Sequence, residues 1–392
     1  MQRLFTAISE HNLPRVVQLV ERGADVNACD YLDETPLLSA VRNRFAAALP
    51  CLLSAGADVD ADAERCTPLQ MAYGVFDVEA VRILRAHGAK TDWLGPQNIA
   101  AFILTAMEGR CEDLAGLLAS GIDIGAQDRY GRTALMCAAG AGQVECVRLL
   151  LERRADVNQE EIPTGSNVRG LTALVYAADE GYTDIVSLLL DMGADPNDVF
   201  DEGWTALTYA AMNRHVDTMR LLLQRDASVE GSSGNEFYRG GPLSVASWMG
   251  CEECVQLLLE HGAGQDPDAL QEAFRATYVD NGANVQPLLL QAGVQIGLIE
   301  AILERDIQTV RQKIQQGANV NEKDRHGRTP LMYATGAWSW FVSPEIIRLL
   351  LDAGADVHAQ TPEGFTALSL ILERKPESEA ARLIREASDT RH

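Results

Sequence analysis

Lysine is almost missing from this chain: Lys90, Lys313, Lys323 and Lys375 are the whole set in 392 residues. Lys and Arg together reach 33 against 56 Asp and Glu, a formal net charge of −23. A protein that tracks phosphates needs a basic face, so nucleic acid is not the expected partner. The charge favours a protein with a basic surface, because opposite fields speed and orient encounter. The competing reading is that excess acid only keeps a long chain soluble. Long apolar runs are also missing. Apolar residues make up 47% of the chain, yet no run approaches the ~20 residues of a membrane span. No membrane role is expected. Met1-Gln2-Arg3-Leu4 enters patterned sequence with no apolar leader, which points to the cytoplasm. The eight cysteines are scattered, as reduced thiols of a cytosol would be. Aromatics are scarce at 6%, so the places where they gather carry information. No nucleophile elbow, phosphate loop, metalloprotease helix or kinase signature occurs. Neither catalysis nor a cofactor or metal is expected.

What is present is repetition. The stretch from Gly131-Arg132-Thr133-Ala134-Leu135 to Val147-Arg148-Leu149-Leu150-Leu151 returns from Thr172, from Thr205 and from Thr329. Thr133, Thr205 and Thr329 suit an N-cap, where a hydroxyl accepts from an orphan helix N–H. Pro36, Pro68 and Pro330 suit the first helical position, where no donor is lost. Leu135, Ala138 and Ala139 make an apolar stripe on a short inner helix. Val147, Leu150 and Leu151 do the same on an outer helix. A Gly-Ala-Asp turn then ends the pair, since Gly accepts the left-handed conformation. No pair buries its apolar face alone, so stacked neighbours must bury it for each other. A period in the 30s with this pattern resembles the ankyrin repeat. The resemblance covers almost the whole chain. It implies an all-α, ankyrin-type helical-repeat solenoid with short β-hairpin-like finger loops and about twelve helix pairs.

Spacing makes the register testable. Twelve residues separate turn Gly from N-cap Thr in Gly23→Thr35, Gly121→Thr133, Gly193→Thr205, Gly317→Thr329 and Gly354→Thr366. Twenty-one separate Thr from the next Gly in Thr35→Gly56, Thr67→Gly88 and Thr172→Gly193. In two turns the Gly is replaced, by Arg154 and by Asp226, so a strained left-handed turn is expected there. The fourth repeat lacks Thr-Pro, and Ala100-Ala101-Phe102 takes that place. The fingers before Thr172 and before Gly241 are too long, and the turn around Gly336 to Pro344 is stretched. After Gly262 and after Gly293 the fingers nearly vanish. A seam is therefore expected near 262–300, a bend or a junction between arrays 1–295 and 296–392.

Function must then lie on the surface that varies between repeats. In proteins of the resembled family, partners lie along fingers and inner-helix ends. Carried over, this nominates Tyr130, Asp179, Glu180, Trp204, Phe237, Tyr238 and Trp248 as one strip. Trp338, Trp340 and Phe341 are a second aromatic group. Aromatics lead because they bury large area at small entropic cost. The alternative for each is packing between fingers or a satellite core. Asp25, Asp58, Asp156, Asp195 and Asp356 recur at one phase, which speaks for turns rather than catalysis. Cys251-Glu252-Glu253-Cys254 is a CxxC with no second pair at zinc spacing. Cys254 falls on an apolar outer-helix place, so a structural reading leads and a redox or metal role is its alternative. The leading expectation is a monomeric, non-catalytic scaffold that binds a partner protein. An acidic inhibitor of a basic enzyme is the alternative, through steered association. An enzyme would need a pocket near 262–300 with convergent polar groups.

Overall fold

The computed structural model describes every residue except 1, 31–32, 62–65, 163–169, 201–202, 231–240, 279–281, 325, 337–341 and 391–392. Among the described residues the fold is all-α, with 24 α-helices in twelve inner–outer pairs and no strand. The chain divides into two compact units, Met1–Asp201 with Gln224–Ala227, and Glu202–Leu223 with Ser228–His392.

In the first unit the inner helices are Gln2–Ser9, Pro36–Arg42, Pro68–Gly74, Gln97–Met107, Ala134–Gly140 and Ala173–Asp179. Their outer partners are Leu13–Glu21, Leu49–Ser54, Val78–Ala86, Cys111–Ala119, Val144–Glu152 and Thr183–Asp191. In the second unit the inner helices are Ala206–Met212, Pro242–Trp248, Pro267–Ala276, Leu298–Leu303, Pro330–Ala334 and Ala367–Arg374. Their outer partners are Val216–Gln224, Glu252–Glu260, Gln286–Gln291, Ile307–Gln315, Pro344–Asp352 and Glu379–Thr390. These pairs are numbered repeats 1 to 12.

The caps follow the sequence. Thr133 Oγ1 accepts from Met136 N at 3.2 Å, and Thr329 Oγ1 accepts from Met332 N at 3.4 Å. Thr205 keeps the same extended N-cap backbone, but its hydroxyl pairs with that of Thr208 at 3.2 Å. The recurring turn acids are spent on the backbone. Asp25, Asp156, Asp195 and Asp356 each accept the N–H two residues on, at 2.8–3.0 Å. From that turn an asparagine amide reaches the next repeat. Asn27, Asn158, Asn197 and Asn321 donate to the carbonyls of Gly56, Gly193, Asp226 and Gly354 at 2.9–3.2 Å. Arg154 and Asp226 hold φ of 66° and 63° where Gly23 and Gly193 hold 81° and 92°.

Two fingers are closed by an aspartate that accepts from backbone N–H groups within them. Asp128 Oδ1 accepts from Tyr130 N and Arg132 N at 2.8 and 2.9 Å, and Asp128 N donates to the Arg132 carbonyl. Asp324 repeats the arrangement with His326 N and Arg328 N at 2.9 and 2.8 Å. One antiparallel bridge, Gln127 with Thr133, is the hairpin element in the first of these.

Two features depart from expectation. The inner helix of repeat 4 starts at Gln97, ahead of Ala100-Ala101-Phe102, because a 3-10 turn Asp92–Leu94 stands where the finger should be. The cysteines are not all separate thiols: Cys111 pairs with Cys146 and Cys251 with Cys254, at Cα separations of 5.3 and 5.2 Å. Cys29, Cys51, Cys66 and Cys137 are in no disulfide.

Across repeats 9 to 11, where the sequence predicts a seam, polar side chains pair between repeats. Arg275 Nε donates to Glu300 Oε1 at 2.7 Å, and His326 Nε2 donates to Glu272 Oε1 at 2.7 Å. Burial opposes the charge on Arg275, yet Glu300 beside it holds its pKa raised. Beyond the seam, Leu298 to Ile384 form one hydrophobic cluster.

Candidate protein-binding face

Some inner-helix ends of the first unit are covered by side chains from other repeats. In a regular stack a repeat touches only its neighbours. Here Arg44 of repeat 2 lies 3.4 Å from Glu180 of repeat 6. Phe76 of repeat 3 packs edge-on against Tyr176 of repeat 6, with ring centroids 5.2 Å apart. The same ring covers Gly140 at the end of the repeat 5 inner helix, where an added Cβ would meet it at 2.7 Å. Phe76 and Arg44 both hold left-handed backbone, φ 52° and 51°, at the place where repeats 4 to 6 put Gly109, Gly142 and Gly181. A bulky residue at positive φ is strained. The strain aims these two side chains across the inner-helix ends.

Around them lies an aromatic and arginine cluster. The Arg132 guanidinium sits 5.2 Å from the Tyr73 ring, 5.4 Å from Phe76 and 5.4 Å from Tyr176. Such cation–π contacts strengthen when desolvated. Tyr73 donates to Asp128 Oδ2 at 2.5 Å, and Tyr176 donates to Glu161 Oε2 at 2.6 Å. Burial, with Asp128 and the Cys137 thiol beside it, pushes the Tyr73 phenol well above its ordinary range. Burial likewise pushes the Cys137 thiol up to about 12.

The nominated residues fall as follows. Tyr130 is half-buried in this cluster, 6.1 Å from the Trp93 ring and 6.5 Å from that of Tyr73. Glu180 is held by Arg44, and Asp179 beside it is partly buried. In the second unit Trp204 is partly exposed and stands edge-on to Tyr209, centroids 5.1 Å apart. Trp248, also partly exposed, ends the inner helix of repeat 8. Arg214 of repeat 7, at φ 60°, donates to the Met249 carbonyl beside it. Phe237, Tyr238, Trp338, Trp340 and Phe341 lie outside the described residues. Sequence reasoning missed Phe76 and Arg44. The available signal was a large residue at the phase of a turn glycine.

Near the seam a shallow groove of about 840 Å³ is lined by Gln256, Leu259, Glu260, His261, Gln265 and Leu288. The His261 ring is tied to the Leu257 carbonyl at 2.8 Å. Among the described residues no group of three His, Cys, Asp or Glu stands ready for a metal ion. No helix among them is long and apolar enough to cross a membrane.

Comparison with known proteins agrees with this geometry. A family model described as Ankyrin repeats (3 copies) matches residues 4–92, 102–200 and 194–270. A second, described as Ankyrin repeat, matches 326–362. The chain is 28% identical over 163 residues to Ankyrin repeat and SOCS box protein 6 of Homo sapiens, covering 37% of this chain and 39% of that one. It is 32% identical over 162 residues to Ankyrin repeat protein nuc-2 of Neurospora crassa, covering 41% and 15%. It is 32% identical over 167 residues to E3 ubiquitin-protein ligase KEG of Arabidopsis thaliana, covering 38% and 10%. The chain spans less than half the length of the curated relatives it matches.

Proposed function

Since the chain belongs to the ankyrin repeat family, we propose that it is a non-catalytic scaffold that binds a partner protein along fingers and inner-helix ends. Ankyrin repeats generally serve protein–protein interaction, and the finer points that follow are our reading. The observation that carries the face is the pair Trp204 and Trp248. Both tryptophans stay partly open to solvent at a finger and an inner-helix end of neighbouring repeats. The corresponding ends of repeats 5 and 6 are covered by Phe76 and Arg44. Aromatics in such positions dominate interface energetics. Recognition would therefore centre on repeats 7 and 8 and extend to Tyr238. The ligase activity in the name of one relative belongs to that protein, of which 10% is matched.

The net charge of −23 supports a basic surface on the partner, and a narrower version in which the chain is an inhibitor that covers a basic enzyme. We place it in the cytoplasm as a monomer.

The test is a pull-down from native cell extract at low and at physiological salt. It compares the chain with one carrying Trp204→Ala, Tyr238→Ala and Trp248→Ala. A basic protein recovered by the first and lost from the second supports the face. Association that slows as salt rises supports the inhibitor reading. Equal recovery by both chains moves the interface elsewhere.

A further inference from the structure

The CxxC keeps its place in the repeat: Cys251 stands at the outer-helix N-cap as Gln143 does in repeat 5, and Cys254 is buried as Cys146 is. Cys251 is the N-cap of the nine-residue helix Glu252–Glu260, and its sulfur accepts the Cys254 N–H at 3.3 Å. A cysteine at a helix N-terminus is the setting that favours the thiolate, the nucleophilic form. Cys251 is partly exposed, while Cys254 is fully buried one turn further on. Their Cα atoms are 5.2 Å apart, inside the span of roughly 4.4–6.8 Å that a disulfide bridges. The Asn284 amide donates to both the Gly250 carbonyl and Glu252 Oε1 at 2.9 Å. It thereby ties the backbone before Cys251 to the side chain of the residue after it.

We propose that Cys251 and Cys254 form a thiol–disulfide exchange site that takes oxidising equivalents from a small-molecule disulfide. The Cys251 thiolate attacks one sulfur of the small disulfide. A mixed disulfide forms on Cys251, the sulfur–sulfur bond of the small molecule breaks, and one small thiolate leaves. The proton that Cys251 gave up ends on it. The Cys254 sulfur then attacks the Cys251 sulfur, forming the internal disulfide and releasing the second small thiolate, which takes the Cys254 proton. The protein dithiol is oxidised by two electrons and the small disulfide is reduced to two thiols. Such reversible pairs are the kind of disulfide a reducing compartment accommodates. Cys137 and Cys29 are internal standards. Cys137 is fully buried and free, so it should stay unreactive. Cys29 is exposed and free, so it should stop at the mixed disulfide.

The test uses the full chain, reduced, freed of reductant and exposed to oxidised glutathione. Remaining thiols are alkylated and peptides are weighed. The peptide holding residues 251–254 should lose both thiols together and two hydrogens of mass, with no glutathione attached. Cys254→Ser should trap a glutathione adduct on Cys251. Cys251→Ser should leave Cys254 unmodified. The proposal is overturned if the wild-type peptide keeps both thiols while Cys29 is modified. It is equally overturned if that peptide accumulates the adduct, or if Cys254 reacts without Cys251. Modification of Cys137 flags a variant that has lost its fold, and Cys254→Ala or Cys251→Ala then replaces it under the same readouts.

Discussion

Arg154 and Asp226 show how a single side chain departs from its repeat without breaking it. Each keeps the left-handed turn of its glycine equivalents, φ 66° and 63°. A non-glycine residue there costs about 1 kcal/mol. Arg154→Gly should therefore stabilise the chain, by about 0.5 kcal/mol once the looser unfolded state is counted. A rise in the urea midpoint at unchanged slope is the readout. Asp306 gives a pH signature. Its carboxylate accepts from Gln308 N, Thr309 N and Thr309 Oγ1 at 2.5–3.1 Å, ahead of the helix Ile307–Gln315. The bonds from Thr309 hold its pKa below the usual 3.8. A depressed carboxylate contributes stability that is complete above the unfolded value and is lost as pH falls through the folded one. The advantage of wild type over Asp306→Ala should be full at neutral pH and shrink below about pH 4. Melting temperatures of both proteins across that range test it.

At the scale of elements, Phe76 and Gly140 are a fitted pair. Gly140→Ala puts a Cβ 2.7 Å from the Phe76 ring, an overpacking that typically costs 1–3 kcal/mol, about the same here. Phe76→Ala opens the space at a cost below the ~3–5 kcal/mol of a fully buried ring. In that background Gly140→Ala should turn neutral or mildly stabilising, because Ala is the better helix residue. Hydrogen exchange of the Ala134–Gly140 amides in the four proteins of this cycle measures the coupling. Additive effects would mean the ring does not rest on Gly140. This contact also marks the limit of what the chain reveals before it folds. Caps, turns and helix pairs repeat at fixed phase, so Thr133, Thr329, Asp25 and Asp356 could be read from spacing. The covering of Glu180 and Tyr176 by Arg44 and Phe76 joins repeats that are not neighbours, and no local period encodes it. The early start of the Gln97 helix escaped because a short 3-10 turn replaced a finger and left the later register intact. Of the nominated face, the positions of Trp204 and Trp248 followed from phase, whereas the burial of Tyr130 depends on Trp93 and Tyr73 from other repeats.

For the whole molecule, we propose that residues 296–392 are a short array with its own core. Leu298 through Ile384 form one cluster, and polar contacts link Arg275 to Glu300 and Glu272 to His326. A fragment of 296–392 should be helical and melt cooperatively. A fragment lacking cooperative melting would make the preceding repeats part of its core. The asparagines that join successive repeats grip a main-chain carbonyl, and Asn197 holds that of Asp226 as Asn27 holds that of Gly56. The joint does not inspect the side chain it holds. A side-chain change at such a corner therefore leaves this hydrogen bond in place, as Asp226 shows where other repeats have glycine.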